Sequence, residues 1–393
     1  VDYLVIANLF LLLFLGVADN QVIAALLPNF VESFKVTVSQ AGLLVVVYSI
    51  AAAVAAFASG VLSDHYGRRW FLRAGVALFA LASWFSGHAT SFASLMGARC
   101  LTGLAAGTLS TCAVAFAGDW FPYSVRGRAI GLISSAYFVA PIVGVPVAAF
   151  IAQRYGWRQA FFVFAVLAFV VVFVSLTLPR EQPNPQPSKE KLRSTLRSFR
   201  SFLGRRDTSA ALGIAFLVSG GLVGFITYIG QWLSTRFAVT TGTIGLIFAF
   251  AGAVAVVSAP VGGILSDQMG KRNATIAGSV VMGLAVAFIP FLRWGAVLLL
   301  VFGATSMGAA FRQGPLTALM TELVPGTQRG TFIALRNISS QLGIGAAVFA
   351  GGILYQAHGY VAVTTLCAAM TALVAILLAT HIVEPHPTVE EIR

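Results

Sequence analysis

The chain has 393 residues, 58% of them apolar and only 10% charged, with a net charge of +12. A soluble globular chain carries about a quarter charged residues, so a water-soluble domain is excluded. The basic balance is not a nucleic-acid signature, because Lys and Arg gather in short loops on one side, as membrane topology requires.

Continuous apolar runs such as Leu9–Leu15, Phe161–Leu178 and Val297–Phe302 lie within stretches of about 20 residues, enough to cross a hydrocarbon core. Their lack of alternation argues against a transmembrane barrel. The pattern predicts twelve helical spans, over 5–30, 41–62, 71–88, 92–119, 128–154, 158–178, 210–236, 242–265, 273–292, 295–323, 330–357 and 359–382. The first leads directly into the rest and reads as a span, not a cleaved signal. Segment 179–209 interrupts the series with Pro179, Pro183, Pro185 and Pro187 and seven Lys or Arg from Lys189 to Arg206. Leu192, Leu196, Phe199 and Leu203 fall three or four apart in it, which fits a helix lying on the membrane surface. The expected domains are a six-helix bundle over 1–178, a basic linker over 179–209 and a second six-helix bundle over 210–393, an all-α membrane protein.

Placing the N-terminus inside puts seventeen Lys or Arg on the inner side and five (Lys35, Arg154, Arg158, Arg236, Arg293) on the outer. That asymmetry predicts both termini in the cytoplasm. Arg99, Arg312 and Arg336 remain, all within spans. Cys100, Cys112 and Cys367 fall in apolar segments. Cys100 and Cys112 lie about 18 Å apart along one helix, too far to bond.

The stretch Gly60 to Arg69, with Asp64, Gly67 and Arg68, returns as Gly263 to Arg272, with Asp267, Gly270 and Lys271, at an offset of 203 residues. The same offset maps Asp119 to Glu322, Pro122 to Pro325, Arg126 to Arg329 and Gly156 to Gly359. One unit is therefore written twice in the same direction.

Two parallel six-helix halves joined by a basic linker resemble the major facilitator superfamily, whose parallel repeat is a known example of this architecture. Four motifs carry the resemblance. The first is the repeated loop. Gly67 and Gly270 permit a positive φ, and Arg68 is expected to pair with Asp119 and Lys271 with Glu322. The resemblance implies that Gly60, Asp64, Gly67, Arg68, Asp119, Arg126, Asp267, Gly270, Lys271, Glu322 and Arg329 form a network that latches the inner side while the cavity faces outward. The second is Asp19 with Pro28 nine residues later, similar to the helix 1 motif of drug:proton antiporters. Asp19 is the acidic residue well inside a span. An ionised carboxylate there costs several kcal/mol unless paired or protonated, which makes it a proton-exchange candidate or, failing that, a structural polar residue.

The third motif is Arg99 followed by Gly103 and Gly107, with Thr102 where the family often has Gln. The small residues allow close helix approach. Arg99 and Asp19 lie at depths differing by about 6 Å, so a pair between them is plausible. Burial disfavours the ionised carboxylate and the arginine favours it, so a carboxylate held between the two can titrate when substrate arrives; the alternative is that Arg99 merely snorkels outward. The fourth is Pro141, Gly144 and Pro146 in helix 5, similar to the Gly/Pro motif of exporters but with Ala140 before Pro141. Prolines there bend the helix.

Polar residues without a counterpart in the other half read as specialisation. Arg312 aligns with Leu109 and Arg336 with Ile133. Expected substrate contacts are Asn20, Arg99, Tyr228, Gln231, Trp232, Arg312, Gln313, Arg336, Asn337 and Gln341, although Arg336 can also snorkel to headgroups and the helix 7 aromatics can be packing. Gly314-Pro315 is expected to kink helix 10. Three intramembrane Arg against one Asp favour an anionic or zwitterionic amphiphile, or a polar metabolite, over a simple cation.

The reading is proton-coupled export of a small organic molecule by alternating access. Uptake, uniport or lipid transport on the same fold is the alternative. No nucleotide loop, nucleophile–base pair or metal-ligand cluster is evident, and His65, His88, His358, His381 and His386 sit near loops or span ends, so neither an enzyme nor a metal or cofactor is expected. Expected partners are the small-molecule substrate, protons and membrane lipids, without nucleic acid. A monomer in a bacterial inner membrane is expected.

Overall fold

A computed structural model describes residues 2–180, 197–325 and 328–382, apart from the side chains of residues 64, 65, 123 and 124. Among these residues all regular structure is helical, and twelve helices are long and apolar enough to cross a membrane. They are α1 (Tyr3–Phe34), α2 (Val38–Tyr66), α3 (Arg68–Gly87), α4 (Phe92–Trp120), α5 (from Tyr123 to Tyr155, in pieces), α6 (Trp157–Ser175), α7 (Arg206–Phe237), α8 (Thr241–Met269), α9 (Lys271–Phe288), α10 (Ala296–Glu322), α11 (Arg329–His358) and α12 (Tyr360–His381). A short helix over 197–204 precedes α7.

The 203-residue offset is written into the backbone. α1 and α7 each have 32 residues and α2 and α8 each have 29, with starts and ends one offset apart. Thr37 and Thr240 cap α2 and α8, each side chain accepting from the amide three residues on, which satisfies an otherwise unpaired helix donor. The left-handed positions repeat too: Lys35 (φ 55°) with Ala238 (φ 54°), Gly67 (φ 90°) with Gly270 (φ 86°), and Gly156 (φ 91°) with Gly359 (φ 73°). Gly67 and Gly270 turn the chain at the positions read from the sequence, where a side chain would be strained.

α5 crosses as one span but starts earlier than the expected 128. It runs as Tyr123–Ser134, Ala136–Val139, a π-helical turn Ala140–Gly144 and Val145–Tyr155. Pro141 cannot donate to the Tyr137 carbonyl, and the wider turn re-bonds the strand of backbone through the Val145 amide to the Ala140 carbonyl. Helix 10 runs as one helix from Ala296 to Glu322 with Pro315 inside it. Lys189, Lys191 and Arg193 of the linker lie outside the described residues.

The halves join along three seams, α1–α7, α2–α11 and α5–α8. Glycines place the contacts. A Cβ on Gly230 would stand 2.2 Å from the Ala24 carbonyl, one on Gly352 3.0 Å from the Ser39 hydroxyl, and one on Gly245 2.7 Å from Ala149. The Gly242 amide donates to Gln153 at 2.7 Å, and Thr241 donates to Asn29 at 3.0 Å. All lie on the side remote from the linker. On the linker side, the first piece of α5 packs on α1 and α4 of its own bundle. The Ala136–Val139 piece of α5 packs against both α1 and α8, and Tyr137 on it is still 49% exposed. Interior exposure of this kind marks a cavity, and the seams close it on the far side.

Candidate functional site

Asp19 and Arg99 are brought together in the N-terminal bundle. Both side chains are fully buried, and Arg99 Nη1 donates to Asp19 Oδ2 at 2.5 Å. The Arg99 guanidinium also lies over the Tyr48 ring, 4.7 Å from its centroid. The Tyr48 hydroxyl donates to the Gly16 carbonyl at 3.1 Å, and Asn20, next to Asp19, is half-buried. Asp19 Oδ1 and Arg99 Nε and Nη2 have no hydrogen-bond partner among the described residues. A buried charged group costs free energy unless its hydrogen-bonding capacity is met, so the pair is attractive but incompletely satisfied.

The small residues of α4 make this geometry possible. A Cβ on Gly103 would stand 2.3 Å from the Tyr48 carbonyl, and one on Gly107 2.3 Å from the Ala52 carbonyl. α4 and α2 therefore touch backbone to backbone, which presses the Tyr48 ring onto Arg99. Thr102, which replaces the familial Gln, turns back to the Ala98 carbonyl at 2.8 Å. The helix 5 motif acts at the same level. A Cβ on Gly144 would meet Ala18, next to Asp19, at 2.7 Å, while Pro141 and Pro146 lie against Gly252 and Gly245 of α8. The motif is thus wedged between α1 and the second bundle.

The expected pairs of the repeated loop are present. Arg68 meets Asp119 at 2.8 Å, and Lys271 meets Glu322. Each of these two pairs joins residues of the same half. Arg126 caps the α4 end by donating to the Phe121 carbonyl at 3.1 Å, whereas Arg329 and Asp267 stand exposed. The Asp64 side chain lies outside the described residues.

Several expected substrate contacts lie elsewhere. Tyr228 is fully buried, and its hydroxyl donates to the Val348 carbonyl at 2.6 Å. A Cβ on Gly42 would overlap that hydroxyl, and one on Gly352 would approach it to 2.7 Å. Tyr228 thus plugs the α2–α11 seam instead of lining the cavity. Trp232 is buried beside it, stacked on Tyr360 at 5.1 Å and edge-on to Phe237 at 5.3 Å. Gln231 is buried with Oε1 unpartnered. Arg312 is 1% exposed and sits in the interior of the C-terminal bundle, reaching Ser279 at 3.3 Å and the Val218 carbonyl at 3.5 Å. It has no carboxylate partner among the described residues. Gln313 is exposed on α10, and Asn337 and Gln341 are partly buried on α11 with Arg336.

Tyr48 and Tyr137 are the site residues that sequence reasoning missed. Tyr48 is a single hydroxyl in the apolar run of α2, and Tyr137 stands inside the helix 5 motif, four residues before Pro141. A tyrosine in the turn whose carbonyl a proline leaves without its usual donor was the available signal.

The chain resembles proteins of known class along nearly its whole length. It is 28% identical over 359 residues to an uncharacterized MFS-type transporter, YwfA, of Bacillus subtilis, covering 91% of this chain and 86% of that one. It is 27% identical to the multidrug resistance protein Stp of Mycobacterium tuberculosis (86% and 72% covered) and 25% identical to a probable 4-methylmuconolactone transporter of Cupriavidus pinatubonensis (85% and 79% covered). A solved D-xylose–proton symporter superposes with a TM-score of 0.81 over 97% of this chain and 98% of its own at 17% identity, which speaks to the fold alone. The sequence pattern of the Major Facilitator Superfamily matches residues 9–311 and 211–393, and the chain therefore belongs to that superfamily of membrane transporters.

Proposed function

We propose that the protein exports a small organic molecule in exchange for protons, with Asp19 as the proton site and Arg99 as its partner. The fully buried Asp19–Arg99 pair carries this reading. Protonating Asp19 removes the charge that holds Arg99, and the pair's unsatisfied atoms are positioned to exchange partners. Tyr48 of α2 packs on Arg99, and Gly144 of α5 abuts Ala18 beside Asp19, so movements of these helices reach the proton site through contact. The two bundles then rock about the seams, with the linker side cytoplasmic, both termini inside, and the protein in a bacterial inner membrane. The α5 motif wedged against α1, and the multidrug resistance protein among the relatives, support export over uptake.

The test is flux in proteoliposomes under an imposed proton gradient, using a mixed panel of anionic, zwitterionic and cationic compounds. Gradient-driven flux is expected for wild type and is expected to vanish in Asp19→Asn while substrate binding persists. Flux indifferent to both the gradient and the substitution would sink antiport and bring uniport forward.

A further inference from the structure

The short helix over 197–204 is not one of the spans, yet it touches both bundles. Phe202 is 1% exposed and lies edge-on to Phe332 of α11, with 5.3 Å between ring centroids. It belongs to the apolar cluster of the second bundle, with Leu212, Val324 and Leu378. The Thr208 hydroxyl at the start of α7 donates to the Phe202 carbonyl, which satisfies an open carbonyl near the helix end. Phe199, one turn earlier, reaches the other half and meets the ring of Phe57 on α2 at 6.0 Å.

The level of these contacts matters. α2 and α11 lie close at Ile50 and Gly345, where an added Cβ would make ordinary contact at 3.9 Å. Phe57 lies about 10 Å further toward the linker side along α2, and Phe332 about 20 Å further along α11. The short helix therefore bridges α2 and α11 on the side opposite the hydrogen bonds of Asn29 and Gln153. Phe202 fixes it to the second bundle, so any rocking of the first bundle is felt where half-buried Phe199 meets half-buried Phe57.

The other face of the helix is charged. At about 100° per residue, Phe199, Phe202 and Leu203 share one arc, and Arg197, Arg200 and Ser201 share the opposite one. Arg197 and Arg200 are exposed, and no carboxylate pairs with them among the described residues. Arg205, in contrast, is held by Asp207 at 2.5 Å. Leu203, at the edge of the apolar arc, is 62% exposed. The span α7 begins at Arg206, so the helix lies at the membrane boundary. An exposed leucine beside two exposed arginines at that depth matches acyl chains on one side and acidic headgroups on the other.

We propose that the 197–204 helix is a strut between the bundles that responds to the charge of the membrane. Arg197 and Arg200 bind the phosphates of anionic lipids on the linker side, which holds the helix on the surface. Held there, it keeps Phe199 against Phe57 and favours the state described here, closed at the seams remote from the linker. In neutral lipid the strut is looser, and α2 swings toward α11 more readily on the linker side. The proposal needs the rocking of two bundles and not the export reading, which can fail in the flux assay while the lipid response stays.

The experiment measures the separation of the bundles in nanodiscs by pulsed electron paramagnetic resonance. Spin labels go on the linker-side ends of α6 and α12, at the exposed positions Leu176→Cys and Thr380→Cys, in a full chain with its three native cysteines replaced by Ala. Phosphatidylcholine discs are compared with discs of rising phosphatidylglycerol content. Phosphatidylglycerol is expected to raise the ratio of long to short distances by about three- to tenfold. Only the difference in lipid binding between the two states counts, so the shift stays below the full worth of two arginines at an anionic surface. Salt at about 0.5 M is expected to flatten the response by screening.

Arg197→Gln with Arg200→Gln is expected to hold the phosphatidylcholine ratio at every composition, and both residues are exposed, so the fold is kept. Phe199→Ala and Phe57→Ala remove the contact from either side. Each is expected to lower the ratio in all lipids and to abolish the response. A wild-type ratio that ignores phosphatidylglycerol overturns the proposal. So does a response that survives the loss of both arginines, which would place it at other basic groups. A response that survives both phenylalanine variants overturns it too, because the contact would then play no part.

Discussion

The two bundles share a backbone and differ in how each carries a buried cation. In the N-terminal bundle Arg99 has Asp19 at 2.5 Å and the Tyr48 ring beneath it. One offset along, the same two places hold Phe302 and Leu222. In the C-terminal bundle Arg312 occupies the place of Leu109 and finds only a hydroxyl at 3.3 Å and a carbonyl at 3.5 Å. The surrounding scaffold is otherwise equivalent: Leu109 presses on Gly75 of α3, and Arg312 presses on Gly278 of α9, its repeat partner. A duplicated fold therefore keeps its packing positions while the chemistry of single positions diverges. At this depth the first half holds a carboxylate that a proton can neutralise, and the matching place in the second half holds Leu222.

A smaller contrast teaches where the scaffold is constrained. In the first half Arg73 donates to the carbonyls of Ser175 at 3.1 Å and Leu176 at 2.5 Å. In the second, Arg272 donates to the carbonyls of Leu378 and Ala379, the residues one offset along. The donors do not correspond, since Arg272 aligns with Arg69, one turn before Arg73. The exposed carbonyls at a helix end must be satisfied, and either turn can supply the arginine.

The comparison can be broken most sharply at Arg99. Arg99→Leu leaves Asp19 buried without its partner, which typically costs about 3–5 kcal/mol. Thermal unfolding in detergent should show a large drop in melting temperature along with loss of gradient-driven flux. Gly103→Val is next. Its Cβ falls 2.3 Å from the Tyr48 carbonyl, so α2 must move away from α4. Overpacking of this kind costs about 1–3 kcal/mol, and displacing Tyr48 should depress transport more than the fall in melting temperature alone explains.

Arg312→Leu restores the residue found at the matching place in the first half. Its hydrogen bonds are long, and replacing a poorly paired buried charge by a packed apolar group is often neutral or stabilising. The melting temperature is expected to hold within about 1 kcal/mol of wild-type stability or to rise. A fall as large as that of Arg99→Leu would show that the two cations are equivalent after all. Smallest of all is the effect of Asp119→Asn or Glu322→Gln. Both carboxylates belong to partly exposed ion pairs within one bundle, and such pairs are worth about 0–1 kcal/mol. A double-mutant cycle on either pair should give a coupling near the bottom of that range, equal in the two halves.

Twelve spans, the duplication and the glycine turns at Gly67 and Gly270 were legible in the residues alone, because apolar length and a constant offset are properties of the chain itself. The partnership of Asp19 with Arg99 was legible too, since a lone carboxylate and an arginine at similar depth in apolar helices have strong reason to meet. Helix rotation was not legible. Whether Tyr228 faces the cavity or plugs a seam against Gly42 and Gly352 depends on the angle at which α7 meets α2 and α11. That angle is set by glycines on three different helices at once. The same holds for Arg312, turned toward Ser279 of α9. Sequence determined which segments cross the membrane and which of them correspond. Tertiary structure decided which polar groups share a wall, because a helix buries or exposes a side chain according to the neighbours packed against that face.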